Sequence, residues 1–190
     1  MSDLNDRLNK ILNRVTSDEF LSGRGLGNEI PFYAFDYPPE DELAVREHVA
    51  FLMKQIPKKR SNLRIKHVNL FELLVAHMRE RNLYDKAIKH QKAKGDDALL
   101  NILKAPLDPT RFAKVFVNEA EPAQHDIVFI TGVGSAYPIL RTHGLLNNLH
   151  PLMGDTPLVL FYPGVYDGQS LRLFGELKDN PYYRAFRLVD

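Results

Sequence analysis

The chain has no cysteine, which removes disulfides, thiolate nucleophiles and cysteine-held metals from its chemistry. No stretch approaches the roughly 18 consecutive apolar residues that a membrane helix requires. The first residues, Met1-Ser-Asp-Leu-Asn-Asp-Arg7, lack the apolar core of a signal peptide. A soluble, cytoplasmic protein with no membrane partner is therefore expected. One-sided charge is missing too: 25 Lys and Arg against 24 Asp and Glu leave a net charge of +1. The molecule as a whole is no polyanion-binding surface, although nucleic acid is neither required nor excluded. There is no internal repeat and no long Ser/Gly/Pro linker. With 190 residues and 44% hydrophobic content, one sizeable core is expected, and so a single domain over residues 1–190.

What is present reads as alternating helices and strands. Apolar residues at Leu4, Leu8, Ile11, Leu12 and Val15 recur at helical spacing, giving an amphipathic N-terminal helix over residues 1–20. The glycines of Ser22-Gly-Arg-Gly-Leu-Gly27 end it, and Ile30-Pro-Phe-Tyr-Ala-Phe-Asp-Tyr37 reads as a first strand closed by Pro38-Pro39. Acidic Glu40-Asp41-Glu42 opens a helix through Ile56 that runs into Lys58-Lys59-Arg60, charges that suit the two ends of its dipole. Leu63-Arg-Ile-Lys-His-Val-Asn-Leu70 alternates, which predicts a strand near the sheet edge, followed at once by a helix from Phe71 to Met78. Residues 79–121 keep a helical pattern but are richer in charge, and read as a helical insertion between strands.

Two apolar runs dominate the last third: Ile127-Val-Phe-Ile-Thr131 and Leu158-Val-Leu-Phe-Tyr162. Continuous runs of this kind predict strands buried on both faces, hence a parallel sheet covered by helices. A helix over about residues 138–149 opened by Pro138, a short helix over about 169–177 and a final strand over 184–189 complete the pattern. The fold class expected is α/β, a three-layer sandwich with a mostly parallel, doubly wound and Rossmann-like sheet of about five strands.

In such sheets the loops at the carboxyl ends of the strands carry the site. Gly132-Val-Gly134-Ser135 invites a phosphate-loop reading, but no Lys-Ser/Thr pair follows and the third glycine of a dinucleotide loop is missing. A tight strand-to-helix turn is the plainer account. Ser135 and Ser170 lie outside any GxSxG elbow, so no catalytic residue is assigned. His143 and His150 are spaced for one helix face without a third ligand, so no metal or cofactor is expected. Arg141 and His143, near the start of a helix, suit either an anionic ligand or a solvated or partner-facing charge. The segment from Tyr162 through Tyr166, Asp167 and Gln169 to Ser170 supports two readings. It is a recognition surface of aromatic area and hydrogen bonds, or Asp167-Gly168 makes a turn, Asp167 or Ser170 caps a helix and Tyr166 packs. Asn180-Pro-Tyr-Tyr183-Arg184 is either a partner contact or a proline-anchored turn, and the basic clusters at 58–60 and 86–94 read as solvated faces.

Four motifs in order, Phe129-Ile-Thr-Gly-Val-Gly134, Arg141-Thr-His-Gly-Leu-Leu-Asn-Asn-Leu149, Phe161-Tyr-Pro-Gly-Val-Tyr-Asp-Gly-Gln-Ser-Leu-Arg-Leu-Phe-Gly175 and Tyr182-Tyr-Arg-Ala-Phe-Arg-Leu188, resemble the BrxB family, the small B component of bacterial BREX phage-defence systems. The resemblance implies a non-enzymatic adaptor in a multi-protein system that methylates host DNA and blocks phage replication. It implies the PglZ phosphatase-superfamily protein as direct partner, the BrxC ATPase as another candidate, and DNA contact only through the complex. The partner-binding residues expected on that basis are Arg141, His143, Tyr162, Tyr166, Asp167 and Gln169. The rival expectation is a degenerate nucleotide- or nucleic-acid-binding module using the loop from Gly132 to Ser135 and Arg141.

Overall fold

Apolar pairing decides the centre of the sheet. In the computed structural model, which describes residues 2–22, 31–178 and 185–190, strands β1 (Phe32–Tyr37), β3 (Ile127–Thr131) and β4 (Leu158–Tyr166) lie side by side. β2 (Ile65–Asn69) and β7 (Phe186–Arg187) form the edges. The order β2-β3-β4-β1-β7 is parallel throughout, with Phe35 opposite Phe161 and Val128 opposite Leu158. Two further strands, β5 (Leu171–Leu173) and β6 (Leu177–Lys178), extend the far end of β4 as an antiparallel meander. The glycine run of residues 23–27, the strand start at Ile30, the segment from Asn180 to Tyr183 and Arg184 as the opening of the last strand lie outside the described residues.

The helices are α1 (Ser2–Val15), α2 (Asp18–Leu21), α3 (Glu42–Lys59), α4 (Leu70–Glu80), α5 (Tyr84–Lys94), α6 (Asp96–Leu103), α7 (Pro109–Ala120), α8 (Val133–Ala136) and α9 (Thr142–Leu149). Strand alternation sends odd residues to one face, where Tyr33, Phe35, Phe129, Val159 and Phe161 pack on Ile11 and Val15 of α1 and Val49 and Leu52 of α3. Even residues face the other side, where Phe32, Val128, Ile130 and Leu160 meet Leu74 of α4, Phe112 and Phe116 of α7 and Leu149 of α9. The protein is thus an α/β three-layer sandwich with a mostly parallel sheet.

Local chemistry sets the element ends. Asn69 Oδ1 accepts from the Phe71 and Glu72 amides and starts α4 at the very end of β2. Asp108 Oδ1 does the same for Thr110 and Arg111, with Pro109 at the first helical position of α7. Edge strand β2 carries inward-facing Lys66, which pairs with Glu119 of α7 at 2.8 Å.

Two expectations fail here. Pro138 does not start a helix: α8 is a single turn directly after Gly132, the peptide between Tyr137 and Pro138 is cis, and α9 begins only at Thr142. Residues 169–177 are not a helix. Leu171-Arg172-Leu173 alternates with a period of two and pairs with β4, which runs on through Pro163-Gly164 to Tyr166 instead of stopping at Tyr162.

Candidate interaction surface at the strand ends

The carboxyl ends of β2, β3 and β4 form one surface, and its shape follows from three glycines. Gly132 adopts φ +73, and a Cβ there would lie 2.1 Å from Asn69 Oδ1, so only glycine lets the cap of α4 tuck under the turn. Gly134 leaves room for Phe174 Cε1 and Pro163 Cγ, which would stand 3.0 and 3.1 Å from a Cβ at that position. Gly164 lies so close to β5 that a Cβ would meet the Arg172 carbonyl oxygen at 2.2 Å. The loop from Gly132 to Ser135 is therefore filled from both sides, by Asn69 beneath and by Phe174 and Pro163 above. No open phosphate cradle is left, and α8 is too short for a helix dipole to develop.

Aromatic and aliphatic side chains occupy the outside of this surface. Phe174 takes φ +56, a conformation in which a bulky residue is a genuine outlier. Its ring meets Tyr137 edge-on with centroids 6.3 Å apart and stays 40% exposed. Its amide donates to the Pro163 carbonyl at 2.9 Å, which fixes the turn that presents it. Phe71, in the first turn of α4, and Val165 on β4 are 38% and 39% exposed. Sequence reasoning missed Phe174, Tyr137 and Phe71; the available signal was the phenylalanine just before Gly175 in a segment misread as helix.

The residues picked from sequence divide sharply. Tyr162 is fully buried, because β4 continues past it and its ring joins the core under α4 and α9. Tyr166 is 1% exposed, and its hydroxyl donates to the Ala185 carbonyl at 2.5 Å. Burial pushes its phenol pKa up, against the opposing pull of Arg187. Neither tyrosine offers contact area to a partner, which corrects their assignment as recognition residues. Asp167 is exposed, but its carboxylate accepts from the Ser170 and Gln169 amides and the Ser170 hydroxyl. Those bonds, the Ser170 amide first, hold its pKa at about 2. It is a turn-former, so the turn reading of this segment describes it. Gln169 stands exposed at the hairpin tip. Arg141 is exposed just before α9, and half-buried His143 meets Asn147 Nδ2 at 3.0 Å. The strand-end face connects these two groups through the Tyr137–Phe174 contact.

A buried charge cluster that the sequence did not suggest anchors the sheet behind the hairpin. Asp36 Oδ1 on β1 accepts from Arg7 of α1 at 2.7 Å and from Arg187 of β7 at 3.1 Å, while Oδ2 accepts the Tyr166 amide at 3.0 Å. Arg187 also donates to the Tyr166 carbonyl, and the Arg7 guanidinium lies 4.8 Å from the Phe35 ring centroid. His67 Nε2 on β2 contacts Thr131 Oγ1 at 2.7 Å, and burial holds its pKa below the ordinary imidazole value. His150 is buried with its ring edge-on to Phe32, so it does not pair with His143. Among the described residues no three metal-ligating side chains come together, and no helix is long and apolar enough to cross a membrane.

Comparison with known proteins agrees with the motif reading. A family profile described as BREX protein BrxB matches residues 66–188. A curated BREX protein BrxB from Bacillus cereus (strain H3081.97) is 42% identical over 194 residues, covering all of both chains. Another, from Escherichia coli O9:H4 (strain HS), is 37% identical over 183 residues, covering 96% of this chain and 90% of its own. No solved structure matches. Matched from the edge strand β2 to the last strand by the profile, and from end to end by the Bacillus relative, the chain belongs to the BrxB family of BREX proteins.

Proposed function

We propose that this protein is a non-enzymatic adaptor of a cytoplasmic BREX anti-phage complex, docking through its strand-end face onto the PglZ phosphatase-superfamily protein, with the BrxC ATPase as a second contact. The observation that carries the reading is the filling of the Gly132 to Ser135 turn by Asn69, Pro163 and Phe174. Where α/β enzymes of this layout hold a substrate, this chain places its own side chains and exposes Phe174 and Phe71 beyond them. Exposed aromatics held rigid at the centre of a polar surround are the usual anchors of protein interfaces. Arg141, His143 and Gln169 supply that surround.

The test is co-purification with the PglZ protein and, separately, with BrxC. Phe174→Asp is expected to weaken capture of PglZ at least tenfold while the melting temperature holds or rises, because the change is exposed and relieves no core contact. Unchanged capture by Phe174→Asp and by Phe71→Asp would remove this face from consideration. Failure of the unaltered protein to co-purify with either component would sink the adaptor reading itself.

A further inference from the structure

α6 and the turn that follows α8 face each other across an open groove of about 620 Å3. Asp97, Leu100, Asn101 and Lys104 fall at i, i+3, i+4 and i+7, so a single stripe of α6 forms one wall. The opposite wall is Ile139, Leu140 and Arg141, and Leu107 lies at the base. The lining is therefore aliphatic along its length and charged at its ends.

The charges are not spread evenly. Asp97 lies in the first turn of α6 and Lys104 just past its last, seven residues or roughly 10 Å along the axis. Pro109, five residues beyond Lys104, packs under Gly144 of α9, where its Cγ would stand 3.2 Å from a Cβ. Gly144 is one turn from Arg141, so Lys104 and Arg141 gather at the same end. Lys104 Nζ donates to Asn101 Oδ1 at 2.8 Å and has no carboxylate partner, and Arg141 forms no salt bridge among the described residues. Two cations without counter-ions at one end of an aliphatic groove, with an acid at the other, define a polarity that an occupant must match.

We propose that this groove seats an extended peptide segment of a partner protein, with an aliphatic side chain on Leu100, Leu107 and Leu140 and a carboxylate between Lys104 and Arg141. The inference rests on the adaptor reading and adds the chemical class of the segment recognised. Roughly 10 Å of groove accommodates about three extended residues. Asp97 and the absence of stacking aromatics in the lining disfavour a nucleic-acid strand, which follows cations along its whole length and stacks its bases.

The test is display of random dodecapeptides on phage, selected against the immobilised full-length protein, with synthetic copies of the winners measured by fluorescence polarisation. Enrichment of Leu, Ile or Val flanked on one side by Asp or Glu is expected. The Lys104→Glu/Arg141→Glu double variant should bind those peptides at least tenfold more weakly at an unchanged melting temperature, the wild-type affinity falling as salt rises. Winners without a carboxylate, equal binding to the double variant, or displacement of the peptide by a short single-stranded DNA oligonucleotide would each overturn the proposal. If PglZ capture survives while the double variant shows no loss of peptide or partner, the groove assignment falls alone. If the unaltered protein captures no BREX component, the adaptor reading falls whatever the peptides do.

Discussion

Asp36 is 8% exposed and serves two arginines from opposite ends of the chain, Arg7 and Arg187, while its second oxygen receives the Tyr166 amide. A buried carboxylate is costly to desolvate, and it persists here because every oxygen is occupied by a donor, two of them charged. Removing it strands Arg7, whose side chain is only 12% exposed, and frees the Tyr166 amide in the same step. Arg187 is 36% exposed and recovers water, so the loss belongs at the lower end of the range for breaking a buried pair. Asp36→Ala is therefore expected to cost about 3 kcal/mol, a fall in melting temperature of roughly 6–12 °C for a chain of this length. Urea denaturation checks it, and a loss below about 1 kcal/mol would mean that the cluster is a surface ornament. Arg7→Met should cost more than Arg187→Met, because only the former leaves its partner with a buried charge facing a single exposed cation.

At the scale of elements, the β4–β5 hairpin is the feature on which the strand-end face depends. Gly164 pairs opposite Leu173, and a Cβ at 2.2 Å from the Arg172 carbonyl oxygen cannot be absorbed by a side-chain rotation because the obstacle is backbone. Gly164→Ala should push β5 off β4, at a cost of roughly 1–3 kcal/mol, without touching the parallel pairs of β1, β3 and β4. Hydrogen exchange separates the cases: the Phe174 amide, which donates to Pro163, should lose protection while those of Val128 and Leu158 keep theirs. Uniform loss across the sheet would refute a local role. The hairpin is also where sequence reasoning ended. Ile127–Thr131 and the alternating edge strand β2 were legible because burial on two faces and on one face leave different periodicities. Pro163-Gly164 looked like a stop, yet β4 runs through it, since Pro163 needs no amide there and its carbonyl still bonds to Phe174. Of the expected contact residues, Arg141 and Gln169 are exposed as the reading required, whereas Tyr162 and Tyr166 were drawn inward by that same strand extension. The Asp36 cluster left no local trace, because its partners lie 29 and 151 residues away in sequence.

At the scale of the whole molecule, two cores share one sheet, and the ionisable groups built into both sides respond to acid in the same sense. Burial lowers the pKa of His48, which bridges α3 to the Leu8 backbone of α1 on one face, with its Nε2 without a partner among the described residues. It also lowers His67 at the edge of the sheet, against the weaker opposing pull of Glu72, and His77 on α4, with Arg81 acting in the same direction and Glu80 against it. A histidine whose pKa is depressed on folding stays neutral in the native state while the unfolded chain begins to take up its proton near the ordinary value of about 6.5. The unfolded state then binds more protons, so stability rises with pH through that window and is lost as pH falls below it towards the lower native pKa values. Asp126, held low by its Arg64 pair, and Asp167, held low by its turn bonds, have the opposite acid–base chemistry but the same sign, and their contributions fade only below about pH 4. The urea midpoint should accordingly be level from pH 8 to about 7, decline between about 6.5 and 5, and decline again below about 4. His48→Gln should reduce the slope of the first decline without altering the second, because it removes one proton acceptor from the unfolded state and none from the carboxylates. A midpoint that stays flat from pH 8 to 5, or rises on acidification, would show that these imidazoles are as well solvated in the folded protein as in the unfolded chain.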